Sequence, residues 1–306
     1  MKKKPPVTPI PREKIQKQVS FIRRLMKFGA REMVDMSGSI GKDTWLPTEA
    51  GNVRVLTYGF EDTARKPVLI DMHGGGFVMG TAAMDDPFMP QFVEKCGVKA
   101  ISIDYALSPD VMFPVAVNQC YAVCRYVKQH ADELNIDPDR MMIMGHSAGG
   151  NFCAAIGLMD NEKQELGLKG IILDYPPTDI FTDPYDKPQP KGCLAPKTCR
   201  MYNAAYCAPE QAKDPLVSPV FATEEMVKNF PPTMVITAGF DSLADEGEAF
   251  KDLLVRAGVK VTFKRFDGAT HGFTVVGERH AKRQPEDYRL SLVAWQDMID
   301  FINKTI

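Results

Sequence analysis

Met141-Met142-Ile143-Met144-Gly145-His146-Ser147-Ala148-Gly149 decides how this chain is read. Four apolar residues make a short buried strand, and a serine flanked by glycines two residues away on either side follows at once. A strand that turns abruptly into a helix needs small residues where backbone crosses backbone, and the residue at its tip is pushed outward. The stretch reads as a nucleophile elbow with Ser147 at the tip, His146 filling the position before it and Ala148 opening the helix.

Upstream, His73-Gly74-Gly75-Gly76-Phe77 follows the apolar run Val68-Met72. Three successive glycines let backbone N–H groups face a substrate atom without interference from Cβ, as an oxyanion hole requires. Gly74, Gly75 and Gly76 are therefore candidate oxyanion residues, with the N–H of Ala148 as the second source of donors. A phosphate-binding loop needs a lysine and a hydroxyl residue at its end, and Phe77-Val78 stands there instead. A dinucleotide fingerprint fails for want of the acidic residue that should end a following strand.

Downstream, Asp241 lies just past the apolar run Thr233-Ala238, and His271 sits in a loop after the late run Val261-Phe266. The order of serine, acid and histidine is that of an α/β-hydrolase triad. His271 is then the base, and Asp241 fixes its tautomer and stabilises the imidazolium. Asp245 and Glu246 are rival acids, although both suit the first turn of a helix, where negative charge meets the helix dipole.

Composition narrows the classes of function. The 306 residues are 44% hydrophobic and 25% charged, which is ordinary for a globular protein, and a net charge of −2 gives no case for nucleic acid. The N-terminal Met1-Lys2-Lys3-Lys4-Pro5-Pro6 is not followed by the apolar core of a secretory signal. No run reaches the roughly 18 apolar residues of a membrane span, so a cytoplasmic location and no membrane insertion are expected. The seven cysteines include no Cys-x-x-Cys pair, so free thiols are expected and no metal or other cofactor.

From Val53 onward short apolar runs alternate with amphipathic stretches, the signature of βαβ units. Strands are expected near 53–58, 68–72, 100–105, 141–144, 170–175, 233–238 and 261–266, and helices near 115–134, 147–159, 246–257 and 285–303. Runs so apolar suit parallel strands buried on both faces. Two segments interrupt the rhythm. Residues 12–36 carry Ile15, Val19, Ile22 and Met26 at helical spacing among many basic residues, and 178–213 is rich in Pro, Tyr and Lys. Both are read as parts of a cap, which divides the chain into an N-terminal cap segment (1–50), a first core part (51–177), a cap insertion (178–213) and a second core part (214–306).

His73-Gly74-Gly75-Gly76, Gly145-His146-Ser147-Ala148-Gly149-Gly150, Asp241-Ser242-Leu243-Ala244-Asp245-Glu246-Gly247 and His271-Gly272-Phe273 together resemble the bacterial hormone-sensitive-lipase family of carboxylesterases. Asp104-Tyr105, Phe113-Pro114 and Asp214-Pro215-Leu216-Val217-Ser218-Pro219 extend the likeness over Pro67 to Phe273. The resemblance implies the α/β-hydrolase fold, with a mostly parallel eight-stranded sheet, helices on both faces and a helical cap. It implies Ser147 as nucleophile, His271 as base, Asp241 as orienter, and His73 as a support of the glycine loop through hydrogen bonds. It also leaves a homodimer through the last strand or last helix as an expectation.

The chain departs from the family in reading Asp104-Tyr105-Ala106-Leu107-Ser108-Pro109-Asp110, where an arginine usually stands at 106; its absence puts one structural ion pair in doubt and leaves the triad untouched. It departs again at His146, where aspartate or threonine is usual. The expected activity is hydrolysis of short acyl esters through an acyl-serine. An acetyl esterase on acetylated sugars and an amidase or formamidase use the same triad, and a non-catalytic ligand receptor can share the fold. The substrate pocket is assigned to Phe77, Met79, His146, Tyr206 and Phe273.

Overall fold

In the computed structural model the described residues are 10–29, 35–278 and 281–306. They form an eight-stranded sheet in the order β1-β2-β4-β3-β5-β6-β7-β8. The strands are β1 (Lys42–Thr48), β2 (Gly51–Tyr58), β3 (Lys66–Met72), β4 (Lys99–Asp104), β5 (Ile136–His146), β6 (Gly170–Asp174), β7 (Thr233–Phe240) and β8 (Val261–Thr270). The helices are α1 (Arg12–Gly29), α2 (Met89–Cys96), α3 (Val115–Gln129), α4 (Ala148–Lys163), α5 (Pro196–Tyr206), α6 (Glu224–Val227), α7 (Ala244–Arg256) and α8 (Pro285–Thr305).

Strands β4, β3, β5, β6, β7 and β8 run parallel. Alternation along them sorts side chains to two cores. Val68, Ile70, Met72, Met141 and Ile143 face the core shared with α3, α4 and α7, while Leu69, Met142 and Met144 face the one shared with α2 and α8.

Two sequence expectations need correction. β2 is antiparallel to both its neighbours, because a two-residue turn at Glu49-Ala50 folds it back on β1 in a hairpin. β1 itself lies inside the segment assigned wholly to the cap. It is an edge strand, mostly exposed and interrupted by Pro47, so neither hydrophobic alternation nor propensity marks it.

The stripe Ile15, Val19, Ile22 and Met26 does pack inward. It forms a third, small core with Met201 and Ala205 of α5 and with Val78 and Met79 just past the glycine loop. Arg23 locks the contact by donating to the carbonyls of Val78 at 2.8 Å and Ser108 at 2.9 Å and pairing with Asp110 at 2.6 Å. Position 106 lacks the family's arginine, and this guanidinium reaches the same loop from α1. The part of the 12–36 segment at 30–34 lies outside the described residues. Among the described residues no helix is long and apolar enough to cross a membrane.

Candidate active site

The carboxyl ends of the parallel strands put the chemistry together. β3 ends at the glycine loop, β5 at Ser147, β7 before Asp241, and β8 before His271. Open α/β sheets place ligands at this edge.

Ser147 is held at φ 52° and ψ −115°, outside the regions open to most L-residues. Its N–H donates to the carbonyl of Asp174 at 2.9 Å. The turn closes because α4 starts against β3: a Cβ on Gly149 would stand 1.8 Å from the carbonyl oxygen of Met72. Gly145 is equally constrained, its added Cβ meeting the carbonyl carbon of Gly149 at 2.4 Å. These two contacts account for the glycines that flank the serine.

Ser147 Oγ lies 2.9 Å from His271 Nε2, and His271 Nδ1 donates to Asp241 Oδ2 at 2.6 Å. Burial by itself would depress the His271 imidazolium, but the Asp241 carboxylate and its hydrogen bond outweigh it and hold the pKa above the ordinary histidine value. The rival acids lie elsewhere. Asp245 is exposed, and Glu246 is buried against Lys187 at 2.5 Å. Burial raises Glu246 to about 7 despite that partner.

The glycine loop is braced from behind. His73 is wholly buried, stacks on Tyr105 at 4.1 Å between ring centroids, and contacts the Gly74 carbonyl at 2.6 Å through Nδ1. Burial pushes its pKa down to about 4, so it is neutral and Nδ1–H is the donor. Tyr105 OH in turn donates to the His73 carbonyl at 2.7 Å. Ala148 is the first residue of α4, whose N–H has no acceptor within the helix.

A cavity of about 230 Å³ opens over these groups, lined by Gly74, Gly75, Gly76, Ser147 and His271 together with largely apolar side chains of the core and cap. Phe77, Met79 and His146 border it as expected from the sequence. Tyr206 and Phe273 do not border it. Tyr206 stacks flat behind Phe77 at 3.8 Å, and Phe273 is fully buried between Tyr175 and Phe266. Tyr202, one helical turn before Tyr206, takes the lining position and lies so close to the loop that a Cβ on Gly76 would come within 2.5 Å of its ring.

Sequence reading also missed a polar cluster beneath the elbow. Asp71, Asp85 and His146 bring ligand-type atoms within 4.8 Å of one another in the buried interior. Burial, reinforced by the charge of Asp85, raises the Asp71 carboxyl well above its ordinary value. The available signal was a carboxylate within the apolar run Val68-Met72, which has to find a partner once buried.

Residues 69–275 match the family described as alpha/beta hydrolase fold. The chain belongs to the α/β-hydrolase fold family. It is 30% identical over 221 residues to an arylesterase of Saccharolobus solfataricus, covering 71% of this chain and 71% of that protein. It is 31% identical over 215 residues to a putative alpha/beta hydrolase of Acanthamoeba polyphaga mimivirus, covering 69% of this chain and 62% of that longer relative. Among solved structures, an esterase of the archaeon Pyrobaculum calidifontis superposes with a TM-score of 0.81 at 28% identity, covering 98% of this chain and 99% of the other. A thermostable esterase from Pseudomonas putida ECU1011 gives 0.83 at 27% identity, covering 95% and 91%.

Proposed function

We propose that this protein is a serine carboxylesterase that hydrolyses short-chain acyl esters. The observation that carries the reading is the unbroken chain of contacts from Ser147 Oγ to His271 Nε2 at 2.9 Å and from His271 Nδ1 to Asp241 at 2.6 Å. Ser147 Oγ attacks the ester carbonyl while His271 Nε2 takes its proton. The oxyanion is received by the N–H groups of Gly75, Gly76 and Ala148, the last at the positive end of α4. The tetrahedral intermediate collapses, the alkoxide leaves with the proton held by His271, and an acyl-Ser147 remains. Water then attacks the acyl group with His271 again as base, releasing the acid and restoring the serine.

The cavity favours small, apolar esters. Its volume of about 230 Å³ lies below the roughly 300–1,000 Å³ of pockets that take drug-sized ligands. Lys187, the charged side chain on its wall, is already satisfied by Glu246 at 2.5 Å and the Asp179 carbonyl at 2.6 Å. The other polar side chains on the wall include Tyr202, Ser242 and Asn203, whose amide already donates to the Ile180 carbonyl at 3.1 Å, few partners for the hydroxyl groups of an acetylated sugar.

Hydrolysis of p-nitrophenyl acetate, butyrate and octanoate tests the assignment, with the shorter chains turned over faster. Ser147→Ala should lower turnover about 10⁴-fold or more and abolish labelling by a fluorophosphonate probe. Near-normal hydrolysis by that variant, or unchanged labelling, would refute the nucleophile.

A further inference from the structure

His146 stands next to the nucleophile in sequence yet takes no part in the triad. Its side chain is 1% exposed. Nδ1 lies 2.7 Å from Asp174 Oδ2, and Nε2 faces Asp85 Oδ1 at 3.7 Å. Nδ1 is hydrogen-bonded to a carboxylate, whereas Nε2 makes no hydrogen bond and faces the Asp85 carboxyl across the longer distance.

The groups around it come from five elements. Asp71 on β3 hydrogen-bonds Ser102 of β4 at 2.9 Å. Asp85 follows the 3₁₀ turn Ala82–Met84, and Asp174 ends β6. Tyr175 and the ring of Trp295 from α8 complete the shell, at 6.2 and 5.8 Å from the imidazole centroid. Neighbouring Asp86 is occupied by Tyr58 OH at 2.8 Å and by the N–H groups of Ile40 and Gly41 at 2.7 and 2.8 Å.

The Asp174 carboxylate reaches the triad from two sides. Its Oδ2 accepts from His146 and also from Thr274 Oγ1 at 2.5 Å, three residues beyond His271. Tyr175 OH bonds the same hydroxyl at 2.5 Å, and its ring meets the His271 imidazole edge-on at 4.9 Å. Trp295 Nε1 donates to the Thr274 carbonyl at 2.7 Å. The backbone of Asp174 meanwhile accepts the N–H of Ser147.

We infer that His146 is a buried imidazolium and a positioning residue, tying the Ser147 elbow to the His271 loop through the shared carboxylate of Asp174. A neutral imidazole would leave the buried carboxyl groups of Asp85 and Asp174 without a countercharge, which is costlier than a paired cation. The same contacts raise His146 to about 10 although burial opposes it, the Asp85 charge acting first and the Asp174 hydrogen bond next.

The kinetic consequence rests on the esterase reading, whereas the charge state does not. Long-range ¹H–¹⁵N correlation of the five histidines at pH 8 therefore comes first, with His146→Gln identifying the resonance. Two protonated ring nitrogens on His146 are expected. A neutral ring at that pH, free or ligating added zinc, overturns the inference. In the hydrolysis assay His146→Gln should lower kcat about 10- to 100-fold with KM little changed, as slight misplacement of reacting groups does. Its acidic limb should move to higher pH, because Asp174 then acts on His271 unopposed; an unmoved limb overturns the charge assignment. Should that variant not fold, Asp85→Asn serves. Its His146 imidazolium should deprotonate at lower pH than in the unsubstituted protein, and an unchanged titration counts against the inference.

Discussion

Replacing Ser147 by glycine should make the protein more stable than replacing it by alanine. Both substitutions remove the hydroxyl and its bond to His271, so that loss cancels in the comparison. What differs is the backbone at φ 52° and ψ −115°, a conformation that costs a residue with a Cβ about 1–3 kcal/mol and glycine almost nothing. Against this, glycine loses about 0.5–1 kcal/mol more conformational freedom on folding, and the packing of one methyl group is forfeited. The balance is about 1 kcal/mol in favour of Ser147→Gly over Ser147→Ala, equivalent to roughly 2 °C in Tm for a protein of this size. Urea unfolding of the two variants at one pH reads the difference as a shift in midpoint at unchanged slope. If Ser147→Gly were equally or less stable, no strain would be stored at the elbow and the account of its geometry would fail.

The acidic limb of kcat/KM should lie above the ordinary imidazole pKa of about 6.5, because Asp241 holds His271 up; a pH–rate profile from 5 to 9 measures it. Since that folded-state value is raised, the stability supplied by the His271–Asp241 pair is complete below the unfolded pKa and lost as pH rises through the folded one. Asp241→Asn should move the limb downward and lower kcat about 10⁴-fold, on the precedent of other serine triads. Gly76→Ala should cripple hydrolysis by driving a methyl into the Tyr202 ring, found 2.5 Å away; Tyr202→Ala in the same chain should restore part of the rate, as a double-mutant cycle would reveal. Lys187→Met should destabilise the protein by about 3–5 kcal/mol at pH 8 by leaving the Glu246 carboxylate buried alone. That loss should shrink at pH 6, where Glu246 takes up a proton, and equal losses at both pH values would contradict the pairing.

Local chemistry made part of this site legible in the sequence. Gly145 is dictated by the backbone of Gly149 four residues on, and Gly149 by the Met72 carbonyl of β3 at the same turn, so their spacing survives in one dimension, and the order of Ser147, Asp241 and His271 follows the strand ends that carry them. β1 left no trace because an exposed edge strand has no core face to pattern. Choosing between Tyr202 and Tyr206 required the rotation of α5, which depends on α1 more than 170 residues earlier. The cluster around His146 was hidden differently: Asp71, Asp85 and Asp174 are unremarkable singly, and only the parallel register of β3, β5 and β6, with the 3₁₀ turn before Asp85, brings them to one imidazole.

The small core that joins α1, α5 and the residues after the glycine loop alters what can be exchanged between relatives. α1, α5 and the loop share one set of apolar contacts, with Val78 and Met79 contributed by the chain just past the glycines. A chimaera that swaps only residues 1–36 and 178–213 would graft a foreign surface onto those two side chains and disturb the glycine loop beside them. The module to exchange is therefore discontinuous in three pieces, those two segments and the loop from Gly74 to Met79.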